Sequence, residues 1–155
     1  MQEVIELLTK LNKTIATMES CTGGGVANAI TNIEGASDVL KFSAITYSNE
    51  YKIKMGVKSE IIDKYSVYSS EVAKSMAYNI SKFANANYGI GVTGKLNRVD
   101  KNNLSGSDNT TYVSIYDRDN DIYYDLIIEV KDDSREKNKE FIINKIKDKL
   151  LNIIN

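Results

Sequence analysis

Apolar positions along the chain change period several times, and each change predicts a change of element. Val4, Leu7, Leu8 and Leu11 recur at helical spacing and predict a first helix. Thr14 to Met18 is a short β-prone run that ends at Glu19, after which Cys21-Thr22-Gly23-Gly24-Gly25 breaks the strand. Val26, Ala27, Ala29 and Ile30 then predict a second helix. Phe42 to Tyr47 forms the next strand; Ser48 is placed to cap a short helix through Lys54, and Gly56 ends it. Ile61 and Ile62 sit on another short helix. Ser69 predicts the N-cap of a long helix that carries Val72, Met76, Ile80 and Phe83 at helical spacing. In the strand that follows, Tyr88, Ile90 and Val92 alternate with Gly89 and Gly91, which predicts close packing on the glycine face.

Gly94 to Asn109 is the one long polar stretch without a period, and it carries Lys95, Arg98 and Lys101. Loops of this length in compact domains are functional or mobile. Thr111 to Tyr116 and Tyr123 to Val130 read as a hairpin with Asp117 to Asp121 as its turn. Asp133 or Ser134 starts a last helix, with Ile142, Ile146, Leu150 and Ile153 on its inner face. Helices alternating with strands, then a terminal hairpin, predict a single three-layer α/β/α domain over residues 1–155 with a mixed, mostly parallel sheet.

Composition narrows the chemistry. A net charge of −1 with interspersed signs gives no global field toward nucleic acid or an acidic membrane. No apolar run approaches the roughly 20 residues that span a bilayer, and the N-terminus lacks a basic start before an unbroken apolar stretch. A cytoplasmic location is the expectation. The single cysteine, Cys21, excludes an internal disulfide. There is no histidine, so neither a Ser-His-Asp nor a Cys-His mechanism is possible within the chain, and a protein zinc site is not expected. Any nucleophile must be activated by lysine, tyrosine, a carboxylate or a helix terminus.

Two constellations meet that requirement. Glu19-Ser20-Cys21-Thr22-Gly23-Gly24 sits where a strand turns into a helix. Backbone N–H groups gather there and the helix dipole favours negative charge, so a serine hydroxyl can attack a carbonyl while neighbouring amides hold the oxyanion. The plainer alternative is a tight turn whose Ser and Thr only cap the helix. Thr46-Tyr47-Ser48-Asn49-Glu50-Tyr51-Lys52 lies where the next strand ends in a helix. Strand ends on one sheet edge converge on one crevice, so Lys52 can reach Ser20 as general base; alternatively it is a solvated surface lysine. Cys21 could carry a depressed pKa as a nucleophile beside a helix N-terminus, but with no histidine available it reads rather as a small buried filler. Glu19 either orients Lys52 or Tyr47 or is a plain strand-end charge.

These residues resemble a known family. Thr17-Met18-Glu19-Ser20-Cys21-Thr22-Gly23-Gly24 resembles the T-A-E-S-C-T-G-G signature of the CinA C-terminal domain. Glu34-Gly35-Ala36-Ser37 is similar to its G-A-S turn, and Thr46 to Lys52 to its Y-S-N-E-x-K signature. Met55-Gly56-Val57 and Ser69-Ser70-Glu71-Val72-Ala73 resemble the segments that follow, without gaps from Thr14 to Thr93. The resemblance implies hydrolysis of the carboxamide of nicotinamide mononucleotide to nicotinate mononucleotide and ammonia, in pyridine-nucleotide salvage. It places the nucleophile on Ser20, the general base on Lys52 and an active-site tyrosine on Tyr47. It further implies substrate contacts from Cys21, Thr22, Gly23, Gly24, Thr93 and Arg135, with the N–H groups around Cys21 to Gly23 holding the oxyanion. It implies no metal, no organic cofactor, a nucleotide substrate and a homo-oligomer.

The likeness fails at two places. After Val92-Thr93-Gly94 the family runs into a Gly- and Pro-rich loop, roughly I-A-G-P-x-G-G, that lines its substrate site; here Lys95-Leu96-Asn97-Arg98-Val99-Asp100 stands instead. Near the last helix the family has G-D-R and a second arginine a turn later, whereas here Arg135 is kept and Lys139 holds the second place. A lysine is a point charge and does not replace bidentate arginine contacts. Lys95, Arg98 and Lys101 either supply substitute phosphate contacts or belong to a solvated loop. Three functions follow: an amidohydrolase on the mononucleotide, a catalytically silent relative that binds a nucleotide or protein partner, or an amidase or esterase with an altered substrate.

Overall fold

The computed structural model describes residues 1–154, and its elements follow the predicted alternation. They are α1 (Gln2–Lys10), β1 (Ile15–Glu19), α2 (Gly25–Thr31), α3 (Ala36–Val39), β2 (Leu40–Ile45), α4 (Asn49–Lys54), α5 (Ser59–Tyr65), α6 (Ser70–Ala84), β3 (Tyr88–Gly94), β4 (Thr110–Asp117), β5 (Ile122–Glu129) and α7 (Arg135–Ile154). Two expected caps form: the Ser48 hydroxyl accepts from the Tyr51 amide at 3.3 Å and the Ser69 hydroxyl from the Val72 amide at 3.2 Å. At the start of α7 the Ser134 hydroxyl accepts from the Lys137 amide at 3.2 Å.

The sheet order is β2-β1-β3-β4-β5. β1 pairs in parallel with both β2 and β3, and β4 is antiparallel to its neighbours β3 and β5. The sheet is therefore mixed, with β4 alone running against the other strands. α1, α2, α3 and α7 cover one face, where Val4, Ile30, Ile90, Ile115, Ile142 and Ile146 belong to one apolar cluster. α6 covers the other face, where Ala16 and Met18 of β1 meet Val72, Met76 and Ile80. The period-two alternation of β1 thus feeds two cores from a single strand, while β3 gives Tyr88, Ile90 and Val92 to the first core and glycines to the α6 face.

The glycines of β3 explain how close α6 lies. A Cβ at Gly89 would stand 2.0 Å from the Ala77 carbonyl oxygen, and one at Gly91 2.2 Å from that of Ala73. No side chain fits between this strand and the helix backbone.

Three details differ from the periodic reading. Leu11 and Phe83 are exposed, although they continue helical stripes. Leu11 lies just past the end of α1, where Ile5 takes the inner place. Phe83 instead packs its ring on Phe42 of the edge strand, with centroids 5.1 Å apart. At the end of α7, Ile154 is buried and Ile153 only partly so, because one residue turns a helix through about 100°. The single-turn α3 was not anticipated. Among the described residues, no helix is long and apolar enough to cross a membrane.

Candidate active site

The strand order places a crevice beyond the C-terminal ends of β1 and β3. The chain leaves β1 for β2 on one side and returns over it to β3 on the other. Loops therefore diverge at this point, which is where open α/β sheets bind ligands. A cavity of about 570 Å³ opens there, lined among others by Ser20, Cys21, Tyr47, Lys52, Tyr68, Arg98, Asp100 and Arg135.

Ser20 follows β1 directly. Its amide donates to the Val92 carbonyl at 3.0 Å, which extends the β1–β3 ladder by one bond and fixes the turn. Gly23 and Gly24 take φ of +61° and +91°, a left-handed path that glycine adopts without strain. Gly24 is the N-cap of α2 and brings no capping side chain. Glu19 supplies the acceptor instead. Its carboxylate accepts from the amides of Val26 at 3.0 Å and Ala27 at 2.9 Å, and from the hydroxyls of Thr22 at 2.6 Å and Thr17 at 3.2 Å. Glu19 is fully buried and orients neither Lys52 nor Tyr47, nor is it a plain strand-end charge. It holds the turn that carries Ser20 against the helix start.

Lys52 is on α4 but is not a surface lysine: it is only 2% exposed. Its Nζ donates to Ser20 Oγ at 3.1 Å and to the Thr46 carbonyl at 2.7 Å. Burial lowers its pKa from 10.5 to about 8, with nearby Cys21 and Asp100 offsetting part of that shift. At this value a substantial fraction of the amine is neutral in mildly alkaline solution. Ser20 is itself 7% exposed, at the floor of the cavity.

Cys21 lines the cavity beside Ser20, but burial pushes its thiol up to about 11. Its Sγ lies 3.9 Å from the Thr111 hydroxyl. A thiol so placed stays protonated at neutral pH.

The remaining sequence-derived positions divide. Tyr47 is 64% exposed at the rim, and its hydroxyl accepts from the Arg135 guanidinium at 3.4 Å. The pair brings the ends of β2 and α7 together over the cavity. Thr22 gives its hydroxyl to Glu19, and the Gly23 amide is committed to the Ser20 carbonyl at 2.9 Å. The amides of Cys21 and Thr22 donate to no carbonyl among the described residues, and of the two residues Cys21 lines the cavity while Thr22 does not. Thr93 is fully buried, donates to the Val67 carbonyl at 2.9 Å and does not line the cavity. Gly24 likewise stays outside the lining, against Ile45. The Lys139 ammonium rests against the turn after Ser20, 3.4 Å from where a Gly23 Cβ would sit.

The polar 95–109 stretch is neither wholly solvated nor a set of free cations. Lys95 is buried, ion-paired with Asp108 at 2.9 Å and seated over the Tyr68 ring at 5.2 Å. Arg98 lines the cavity, while Lys101 is exposed outside it. Asp100 accepts hydrogen bonds from the Tyr68 hydroxyl, from Asn103 Nδ2 at 3.0 Å and from the Asn102 amide at 2.9 Å. Asn103 is tied in turn to Asn49 at 3.2 Å. These contacts were missed from sequence, because Tyr68 and Asp100 lie 32 residues apart and no local pattern links them. Among the described residues no cluster of Cys, Asp and Glu is arranged to hold a metal.

Comparison with known proteins agrees with this fold. The family model for the CinA C-terminal domain matches residues 1–140. A competence-damage inducible protein of Clostridium botulinum (strain ATCC 19397 / Type A) is 50% identical over 96 residues, which is 61% of this chain and 24% of that protein. Its counterpart from Thermoanaerobacter pseudethanolicus is 47% identical over 92 residues, 59% of this chain and 22% of that protein. The matched region thus spans about a quarter of these relatives. Among solved structures, the competence/damage inducible protein CihA of Agrobacterium tumefaciens superposes with a TM-score of 0.88 at 25% identity, covering 99% of this chain and 92% of that one. A CinA superfamily protein of Klebsiella pneumoniae 700603 gives a TM-score of 0.90 at 19% identity, covering 99% and 94%, and supports the fold alone. With a family model matching nearly its whole length, this chain belongs to the CinA C-terminal domain family.

Proposed function

We propose that this domain hydrolyses the carboxamide of nicotinamide mononucleotide, giving nicotinate mononucleotide and ammonia, with Ser20 as nucleophile and Lys52 as base. One observation carries the reading: a buried lysine amine stands 3.1 Å from a serine oxygen on the floor of a cavity of about 570 Å³. A lysine buried without a carboxylate partner is costly, and such groups cluster where proton transfer is needed.

The neutral Lys52 amine takes the Ser20 proton as Oγ bonds to the carboxamide carbon. The carbonyl oxygen becomes an oxyanion facing the Cys21 amide. Collapse breaks the C–N bond, and Lys52 returns the proton to the leaving nitrogen, which departs as ammonia. Water, deprotonated by Lys52, then splits the Ser20 ester and releases the carboxylate product. Arg98 and Arg135 at the rim are the cations available for the phosphate.

Purified protein incubated with the mononucleotide should release ammonia, and Ser20→Ala should abolish release. Full activity in Ser20→Ala rules the scheme out. A second reading, an amidase or esterase with another substrate, draws on the wall of Tyr68 and Asp100 that replaces a glycine-rich one. Silence toward the mononucleotide together with turnover of another amide selects it. Thermal stabilisation by the mononucleotide without ammonia release selects a silent binding domain.

A further inference from the structure

The cavity's charges are unevenly assigned. Lys52, Lys95, Arg98 and Arg135 are its cationic lining residues, and Asp100 is its one carboxylate among the described residues. Lys95 is neutralised by Asp108. Asp100 is in no ion pair among the described residues, although cations surround the same space. Arg98 turns its guanidinium to the Asn97 carbonyl at 3.0 Å.

The Asp100 carboxylate is held rather than loose. Three neutral donors fix it: the Tyr68 hydroxyl, the Asn103 side-chain amide and the Asn102 backbone amide. Burial alone would raise its pKa, but these donations bring it below the ordinary carboxylate value. The group is therefore a fixed negative charge at the cavity wall that feels the Lys52 ammonium nearby but makes no direct ion pair among the described residues. An anionic ligand group has no use for it; it repels one.

Resting on the amidohydrolase reading, we propose that Asp100 is a specificity-determining residue that selects a positively charged nitrogen heterocycle as the bearer of the carboxamide. The ligand then lies with its amide at Ser20, its cationic ring toward Asp100 and its anionic tail toward Arg98 and Arg135. A zwitterion of that order matches the charge distribution, whereas a neutral ring leaves Asp100 unpaired against the ligand. Tyr68 acts through Asp100, as a positioning residue that fixes the carboxylate.

The test measures dissociation constants by calorimetry in the Ser20→Ala background, which cannot turn over. The probes are nicotinamide mononucleotide, whose ring is cationic, and its reduced dihydro form, whose ring is neutral on the same ribose phosphate. The oxidised form should bind about tenfold more tightly, the effect of one charge contact at the effective dielectric of a half-buried site. Asp100→Asn should erase that preference by weakening only the oxidised form, and Asp100→Glu should restore most of it. Equal weakening of both forms by Asp100→Asn shows that the carboxylate binds ribose hydroxyls and overturns the inference. So does an unchanged preference in Asp100→Asn. Failure of both forms to bind, with no ammonia released by the unmodified protein, removes the amidohydrolase reading itself and the inference with it. Ammonia release at a rate indifferent to Asp100→Asn leaves that reading standing and overturns the inference alone.

Discussion

At the scale of residues, Lys52 carries two opposed consequences of one placement. Its folded pKa of about 8 lies below the ordinary 10.5. Only the neutral amine accepts the Ser20 proton, so kcat/KM should rise with pH along a limb centred near 8 and level off above it. A rate that is flat from pH 6 to 9 would mean another group is the base. The same shift bears on stability. Between the two values the unfolded chain binds more protons than the folded one, so stability rises with pH across that window, and the full cost of a buried cation is felt below about pH 8. Lys52→Met fills similar volume without charge. It should be more stable than the unmodified protein by about 1–3 kcal/mol at pH 7, as read by denaturant unfolding, with the gap closing toward pH 10. The Ser20–Lys52 contact was legible in sequence as one of two options left by strand ends that share a sheet edge, and the family resemblance of the two motifs favoured it over a solvated lysine. The role of Glu19 was not, since capping by a side chain seven residues before the helix amide leaves no local signature.

At the scale of elements, two structural devices fix the turn after β1 and the seat of α6 on the sheet. The first is the Glu19 carboxylate at the start of α2. Glu19→Ala leaves the Val26 and Ala27 amides and the Thr22 hydroxyl without their acceptor. Each orphaned buried group costs about 1–3 kcal/mol, so the variant should unfold at markedly lower denaturant, with a midpoint equal to the parent's contradicting the capping role. The second is the close approach of α6 to β3. Gly91→Ala puts a Cβ 2.2 Å from the Ala73 carbonyl oxygen, which only a shift of the helix can relieve. Overpacking of this kind costs about 1–3 kcal/mol; a calorimetric scan showing an unchanged Tm would mean that α6 moves freely. The alternation of Gly89 and Gly91 announced this contact in sequence, because only a close neighbour makes a missing side chain useful at every second position. The one-turn α3 gave no such sign: Ala36-Ser37-Asp38-Val39 is too short to show a period.

At the scale of the whole molecule, the order β2-β1-β3 makes the crevice; the alternation of helices and strands predicted the α/β layers and a crevice at shared strand ends, but not the strand order. What the sequence left open was the wall contributed by residues 95–103. Its fold rests on long-range pairs, Tyr68 with Asp100 and Asn49 with Asn103, which no periodicity encodes. That wall lines one side of the cavity, while the turn after β1 and helix α4 bring Ser20 and Lys52 to its floor. Binding should accordingly stabilise the whole domain: the mononucleotide at a hundredfold over its Kd should add about 2.7 kcal/mol to unfolding.

The most direct single measurement is ammonia release from nicotinamide mononucleotide by Lys52→Met beside the unmodified protein at pH 8.5, with native circular dichroism verified for both. The expected result is a loss of about 10²–10⁴-fold in a protein that is at least as stable. A rate within twofold of the unmodified protein contradicts the assignment of Lys52 as the base that activates Ser20.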